Sequence, residues 1–377
     1  LQQKLARVQG LLEASRRVHS TIRLDEVLAL ALEIATKELE AEGAFFVSPD
    51  GRFGAHAGHL YGRVPDDWTR WTDWAALPGY SSAPLPGERG ETIAHLVTYR
   101  PQALSFEEID FLEGLAHQAS LAVGNAQHHE KMIEWERVRA DLDAARSIQR
   151  SLLPQAVPDV TGYDLHLRST TCYEVGGDYV DVVPLPDGRL MLVLADVAGK
   201  GLASAMISMT FRSSFRAMCG ARLDLAEMAA RMNTLHWQEG VEARRRYVTA
   251  ILACLDPAAH TLELVNAGHN PAFVRAGGEL RTVGASGPPL GMLPGRSYEV
   301  ETVALEAGHQ ILLYTDGLTE VFHGDDEFGE ERLMALLAEQ PDARLLDTIW
   351  TTLARFSGNA RQTDDMTALY LYRGGAQ

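Results

Sequence analysis

Asp178 and Asp196 lie nine residues either side of Asp187, in a stretch that reads Glu174-Val-Gly-Gly-Asp-Tyr-Val-Asp181 at one end and Ala195-Asp-Val-Ala-Gly-Lys-Gly201 at the other. Pro186-Asp187-Gly188 is a turn signal between two apolar runs, Tyr179–Leu185 and Arg189–Ala195, so the stretch is expected to be a β-hairpin. With Asp187 at its tip, Asp178 and Asp196 face each other across neighbouring strands, with Cα atoms roughly 4.5 to 5.5 Å apart. Two like charges so placed repel unless something compensates them. A divalent cation is the simplest compensation, and oxygen-rich carboxylate sites suit Mg²⁺ and Mn²⁺. Asp316 follows the apolar run Ile311–Tyr314, and Asp364 and Asp365 precede the run Met366–Tyr372. In an antiparallel sheet the end of one strand and the start of another share a rim. These aspartates can therefore be gathered into a two-metal hydrolytic site, the kind that activates a water for in-line attack on phosphorus.

Other chemistries find less support. Any one Asp-Gly pair is more often a turn than a ligand, so the weight rests on the joint pattern. Ala198-Gly-Lys-Gly201 lacks the GxxxxGK[ST] spacing of a phosphate loop, and no Gly-x-Ser-x-Gly elbow is present. His269, in Asn266-Ala-Gly-His-Asn-Pro271, is placed for packing and hydrogen bonding between strands rather than for catalysis.

The elements that must position these residues are strands paired by short turns. Tyr247–Leu255 with Thr261–Val265, and Pro271–Arg275 with Leu280–Val283, form two further hairpins. Leu202–Cys219 and Leu225–Trp237 read as helices, and two more fill Glu330–Phe356. Hairpins imply antiparallel sheets and the helices outer layers, an α+β sandwich. Upstream, Leu1, Leu5, Val8 and Leu12 predict a first helix and Asp25–Leu39 a second, with short strands at Ala44–Val47 and Thr92–Thr98. Ser105-Phe-Glu-Glu108 is a capping box that opens a long helix. Its 3-4 seam runs through Leu112, Leu115, Ala119, Ala122, Ala126, His129 and Ile133, then changes phase to Trp135, Val138 and Leu142, and stops at Pro154. A seam this long predicts a partner helix and hence a dimeric coiled coil.

Composition narrows the classes. A formal net charge of −17 argues against nucleic acid or an anionic membrane as the main partner. No apolar run reaches the roughly 20 residues of a membrane span. The start of the chain lacks a signal-peptide pattern, and the three scattered cysteines read as reduced thiols. A cytoplasmic protein is expected.

The five motifs Glu174–Asp181, Ala195–Gly201, Asn266–Pro271, Tyr314-Thr-Asp-Gly317 and Thr363-Asp-Asp-Met-Thr367, in this order, resemble the SpoIIE-like (RsbU-type) branch of the PPM metal-dependent protein serine/threonine phosphatases. The resemblance covers about residues 154–377 and implies an αββα antiparallel β-sandwich with a Mn²⁺ or Mg²⁺ pair at one end. Position by position, Asp196 resembles the carboxylate that bridges both ions. Asp178, with the Val197 carbonyl beside it, resembles a ligand of the second, and Asp316 and Asp364 resemble ligands of the first. Asp365 completes the acidic set as a neighbour that orients it. The implied substrate is a phosphoserine or phosphothreonine protein, in this branch an anti-anti-sigma factor of the STAS fold acting through partner switching. A non-catalytic sensor or scaffold on the same fold is the alternative. Relatives often carry a basic residue just before Val-Gly-Gly-Asp, where this chain has Cys172-Tyr-Glu174, leaving Arg168 as a weak substitute for contacting substrate phosphate. Residues 1–128 resemble, less strongly, a reduced GAF domain used for sensing or dimerisation, and residues 129–153 the helical linker that joins such a sensor to this branch.

Overall fold

The computed structural model describes residues 2–48, 60–66, 68, 72–87, 89–221, 223–339, 344–358, 360 and 362–374. The chain forms two compact units, Leu1–Arg139 and Ala140–Gln377. No described helix is long and apolar enough to cross a membrane.

In the first unit, helices α1 (Gln2–Val18) and α2 (Leu24–Glu38) precede strands β1 (Gly43–Val47), β2 (Leu60–Gly62), β3 (Tyr80–Pro86) and β4 (Thr92–Tyr99). The strands form one antiparallel sheet in the order β2-β1-β4-β3. Leu1, and the side chains of Leu5 and Val8 from the expected seam, lie outside the described residues. Helix α3 (Phe106–Leu152) follows. Its start is the reciprocal cap expected from the sequence: the Glu108 amide donates to Ser105 Oγ at 3.3 Å, and the Ser105 amide donates to Glu108 Oε2 at 2.7 Å. Arg100 and this cap hold the Glu108 carboxyl down at about 2. Leu112, Leu115, Ala119, Ala122 and Ala126 are buried in the core of this unit, whereas residues 131–140 are exposed throughout.

The second unit is a four-layer sandwich. Its strands are β5 (Tyr163–Thr170), β6 (Tyr179–Pro184), β7 (Leu190–Val197), β8 (Val248–Asp256), β9 (Thr261–Ala267), β10 (Ala272–Ala276), β11 (Glu279–Val283), β12 (Glu301–Ala304), β13 (Gln310–Tyr314), the short pair β14 (Phe322–His323) and β15 (Asp326–Glu327), and β16 (Met366–Arg373). Helices α4 (Leu202–Cys219), α5 (Leu225–Gln238) and α6 (Val241–Arg244) follow β7, and α7 (Gly329–Glu339) and α8 (Leu345–Ser357) precede β16. Two five-stranded antiparallel sheets result, ordered β12-β9-β8-β7-β6 and β11-β10-β13-β16-β5.

Alternation along β7 explains its continuous apolarity. Leu190, Leu192 and Leu194 point into the core between the sheets, where they meet Ile311, Leu313, Leu369 and Leu371. Met191, Val193, Ala195 and Val197 point the other way, onto Phe211, Phe215 and Met228 of α4 and α5. A strand covered on both faces has no solvated side on which to alternate. The outer layer over the other sheet is closed by Leu333, Leu337, Ile349, Trp350 and Leu353 of α7 and α8 against Phe273, Tyr314 and Tyr370.

On the helix-facing side of β6, Asp181 is fully buried and accepts from Arg216 Nε at 2.6 Å and Nη2 at 2.9 Å, from the Val182 amide, and from the Tyr179 hydroxyl. This pair ties α4 to the strand that begins just after Asp178. Removing the guanidinium leaves a buried charge short of its main partner. We expect Arg216→Ala to cost about 2–4 kcal/mol in urea unfolding; a loss below 0.5 kcal/mol would show that Asp181 is satisfied without it.

Candidate active site

The β6–β7 register runs from Pro184↔Leu190 to Tyr179↔Ala195, and one further step sets Asp178 opposite Asp196. Asp196 shares the parity of Leu192 and Leu194, and Asp178 that of Val180 and Val182, so both belong to the face between the sheets. They stand where that apolar core ends. From the other sheet, β13 ends at Tyr314 and hands over to Thr315 and Asp316, while Asp364 and Asp365 lead into β16. Tyr314 pairs with Ala368, so these two strand ends meet at the same rim.

Hydrogen bonds lock the pieces together. The Thr315 hydroxyl donates to Asp178 Oδ2 at 2.9 Å and accepts from the Thr367 amide at 3.0 Å, linking the two sheets through one side chain. Asp365 accepts from the Cys172 amide at Oδ1 (2.7 Å) and from the Gly177 amide at Oδ2 (2.8 Å). Lys200 bridges to Asp364 Oδ2 at 2.7 Å and donates to the Thr363 carbonyl at 2.6 Å. Gln149, near the end of α3, donates to the Gly176 carbonyl at 2.8 Å and accepts from its amide at 3.2 Å. Close packing forces glycine at 317, where a Cβ would collide with the Asp365 carbonyl. A Cβ on Gly177 would lie 3.1 Å from the Val197 carbonyl oxygen and 3.5 Å from Asp196 Oδ1, which puts Val197 beside the Asp178 segment.

The electrostatics follow from burying like charges together. Burial, and then the charges of Asp316, Asp364 and Asp365, push the Asp196 carboxyl up to about 7. Burial, Glu320 and Asp364 push Asp316 up to about 6. Asp178 is raised well above the usual carboxylate range by burial and then by Asp196 and Asp365. Burial also raises Asp365, against the pull of the Cys172 and Gly177 amides.

Among the described residues, no three His, Cys, Asp or Glu side chains converge closely enough to hold a metal ion as they stand. The carboxylates share a rim, where Thr315 bonds Asp178, Lys200 bonds Asp364 and the Cys172 and Gly177 amides bond Asp365. The donor set itself fits a divalent cation, since these are hard oxygens, buried and mutually repelling, and the Lys200 ion pair offsets only one of the charges.

His269 is 6 % exposed; its Nε2 donates to the Tyr314 carbonyl at 3.0 Å and its Nδ1 accepts from Thr249 Oγ1 at 2.7 Å. Both nitrogens are engaged and burial lowers its pKa to about 4, so it braces β8 against β13 and offers no base. Arg168 corrects one expectation. Its guanidinium bonds Asp347 at 2.7 Å and lies 4.9 Å over the Trp350 ring, on the outer face of β5, and so is not a phosphate contact. Thr315, Lys200 and Gln149 were not singled out from the sequence, although Thr315 and Lys200 lie within motifs already noted. A cavity of about 560 Å³ opens by the 185–189 turn, at the opposite end of the hairpin, and no rim aspartate lines it.

Comparison with known proteins points the same way. The family model described as Stage II sporulation protein E (SpoIIE) matches residues 186–374, half of the chain. Protein IcfG of Synechocystis is 26% identical over 264 residues, covering 62% of this chain and 42% of its own length. The phosphoserine phosphatase RsbP of Bacillus subtilis is 28% identical over 236 residues, covering 60% of this chain and 56% of its own. The chain thus spans about half the length of these curated relatives. Among solved structures, the SiaA-PP2C domain of Pseudomonas aeruginosa superposes with a TM-score of 0.56 at 23% identity, over 64% of this chain and 99% of that one, and so shares the fold.

A raised carboxyl pKa costs stability as pH climbs from the unfolded value near 4 through the folded one, because the unfolded chain sheds its proton first. Comparing metal-free wild type with Asp196→Asn isolates this from the opposite pH trend of His269. We expect the two to differ little at about pH 4 and the variant to melt higher at about pH 8. A variant less stable than wild type at pH 8 would contradict the repulsion described.

Proposed function

Because the chain belongs to the SpoIIE (Stage II sporulation protein E) family, we propose that it is a divalent-metal-dependent phosphoprotein phosphatase that hydrolyses phosphoserine or phosphothreonine. The observation that carries this reading is the gathering of Asp178, Asp196, Asp316, Asp364 and Asp365 at one end of the sandwich, where burial and mutual repulsion raise most of them. In this reading Asp178 with the Val197 carbonyl would hold one of two Mn²⁺ or Mg²⁺ ions, Asp316 and Asp364 would hold the other, and Asp196 would serve both. Such a pair, when bound, supplies an activated water and neutralises charge on the phosphoryl oxygens. The chain's own part is positioning. Thr315 holds one oxygen of Asp178, Asp365 fixes the Gly176-Gly177 turn, and Lys200 must yield Asp364 or share it.

The substrate we propose is a phosphorylated STAS-type anti-anti-sigma factor in a partner-switching pathway, a reading supported by similarity to RsbP and by the ordered motifs. The first unit, a four-stranded sheet packed with helices, is consistent with a GAF-like sensor. Met132, Ile133, Trp135 and Val138 of α3 are all exposed, which supports pairing with a second copy as a coiled coil. The alternative is a non-catalytic sensor or scaffold of the same fold.

Hydrolysis of a phosphoserine protein, with and without Mn²⁺, separates the two. We expect hydrolysis that a chelator abolishes and added Mn²⁺ restores. Asp196→Asn should lower kcat by about 100-fold or more, the several kcal/mol attributable to charge stabilisation at such a site. Binding of the phosphoprotein without turnover would favour the scaffold, and full activity in the Asn variant would remove Asp196 from the machinery.

A further inference from the structure

An anionic substrate approaching this rim meets five aspartates on a chain of net charge −17, so some cation must offset them at the point of contact. Two of the basic residues nearest in sequence to the motifs are already engaged: Lys200 pairs with Asp364, and Arg168 with Asp347 and Trp350. The consecutive arginines 244–246, at the end of α6 and before β8, are the next source of positive charge. Arg244 lies 4.7 Å over the Trp237 ring and donates to the Gly240 carbonyl, and Arg245 pairs with Glu242 at 3.0 Å. Arg246 differs. Among the described residues its guanidinium has no ion pair or hydrogen bond, yet it is only partly exposed.

Its position is set by the metal-site loop. Val197 pairs with Val248 and Asp196 with Thr249, and the Ala198 amide donates to the Tyr247 carbonyl at 2.9 Å. The backbone around 246 therefore runs alongside the loop that leaves Asp196. The side chain then turns onto that loop: a Cβ on Gly199 (φ +101°) would lie 2.5 Å from Arg246 Nη1, so the glycine leaves the guanidinium its space. From behind, the Arg246 carbonyl accepts from His236 Nε2 at 2.9 Å, which anchors the backbone to α5.

We propose that Arg246 binds the phosphoryl group of the substrate, its guanidinium donating to phosphate oxygens at the edge of the acidic rim; this rests on the phosphatase reading above. An unpaired guanidinium on the loop that leaves Asp196 is suited to this. Its planar fork matches phosphate, and its free donors need an acceptor that the described residues do not supply.

The test compares wild type, Arg246→Ala, Arg246→Lys and the control Arg245→Ala in the Mn²⁺-loaded chain. Each is assayed with a phosphoserine peptide, with inorganic phosphate as a competitive inhibitor, and by calorimetric titration with phosphate and with Mn²⁺. Arg246→Ala should raise KM and the phosphate inhibition constant together by about 10- to 100-fold, the range for a charge-assisted hydrogen bond. The Lys variant should recover part of this, and Mn²⁺ affinity and the Arg245→Ala values should be unchanged. Active wild type with unaltered KM and phosphate affinity in Arg246→Ala would overturn the proposal and leave the phosphatase reading intact. Weakened Mn²⁺ binding in both Arg246 variants would overturn it in favour of a loop-bracing role. Wild type that binds phosphate through Arg246 but hydrolyses nothing would overturn the phosphatase reading and sustain the anion site.

Discussion

The second unit is organised around a repulsion. Five carboxylates are carried to the end of an apolar core, where water is scarce and their charges face one another, and burial with this mutual repulsion drives most of the acids upward. A fold does not accept that cost through local propensity. It is imposed by strands whose remaining residues are committed to two cores at once, so the acids cannot rotate away without dragging Leu192, Leu194 or Ile311 with them. Stability is spent on holding a charge pattern, the usual mark of a site built to receive something of opposite sign.

The surrounding hydrogen bonds divide this strain. Thr315 joins one sheet to the other through Asp178 and the Thr367 amide, and Asp365 joins β16 to the turn before β6. The same turn is gripped by Gln149 at the far end of α3. On the opposite face of β6, Asp181 and Arg216 attach α4, the helix that begins directly after the Asp196 loop.

Much of this could be read from the chain. The equal spacing about Asp187 anticipated the register that sets Asp178 against Asp196, because a short turn leaves a hairpin little freedom to slip. Helix α4 carries the limits expected for it, since a glycine stands on each side and its C-terminal half buries Phe211, Phe215 and Cys219. Strand β5 was missed: Asp164, His166 and Arg168 interrupt it, and as an edge strand it buries little on its outer face. The role of Arg168 was misjudged for the same reason, because nothing local shows that Asp347 and Trp350, nearly two hundred residues on, will claim it. Gln149 and Arg246 lie beyond any local signal. A lone amide in a polar helix and one arginine among three acquire meaning only once distant backbone is beside them.

The equal arms of the β6–β7 hairpin also determine where this protein tolerates a change of length. Residues added at the tip around Pro186–Gly188 lengthen a loop and leave both carboxylates where they are. A single residue lost within Leu190–Ala195 turns everything after it through half a pleat, sending Asp196 toward Phe211 and Phe215 and placing an apolar side chain on the rim. A deletion of two restores the face but draws the acid back along the strand by about 6.8 Å, out of line with Asp178. The hairpin works as a ruler with its zero at the turn, and compensated changes on both arms are the ones that keep its two marks aligned.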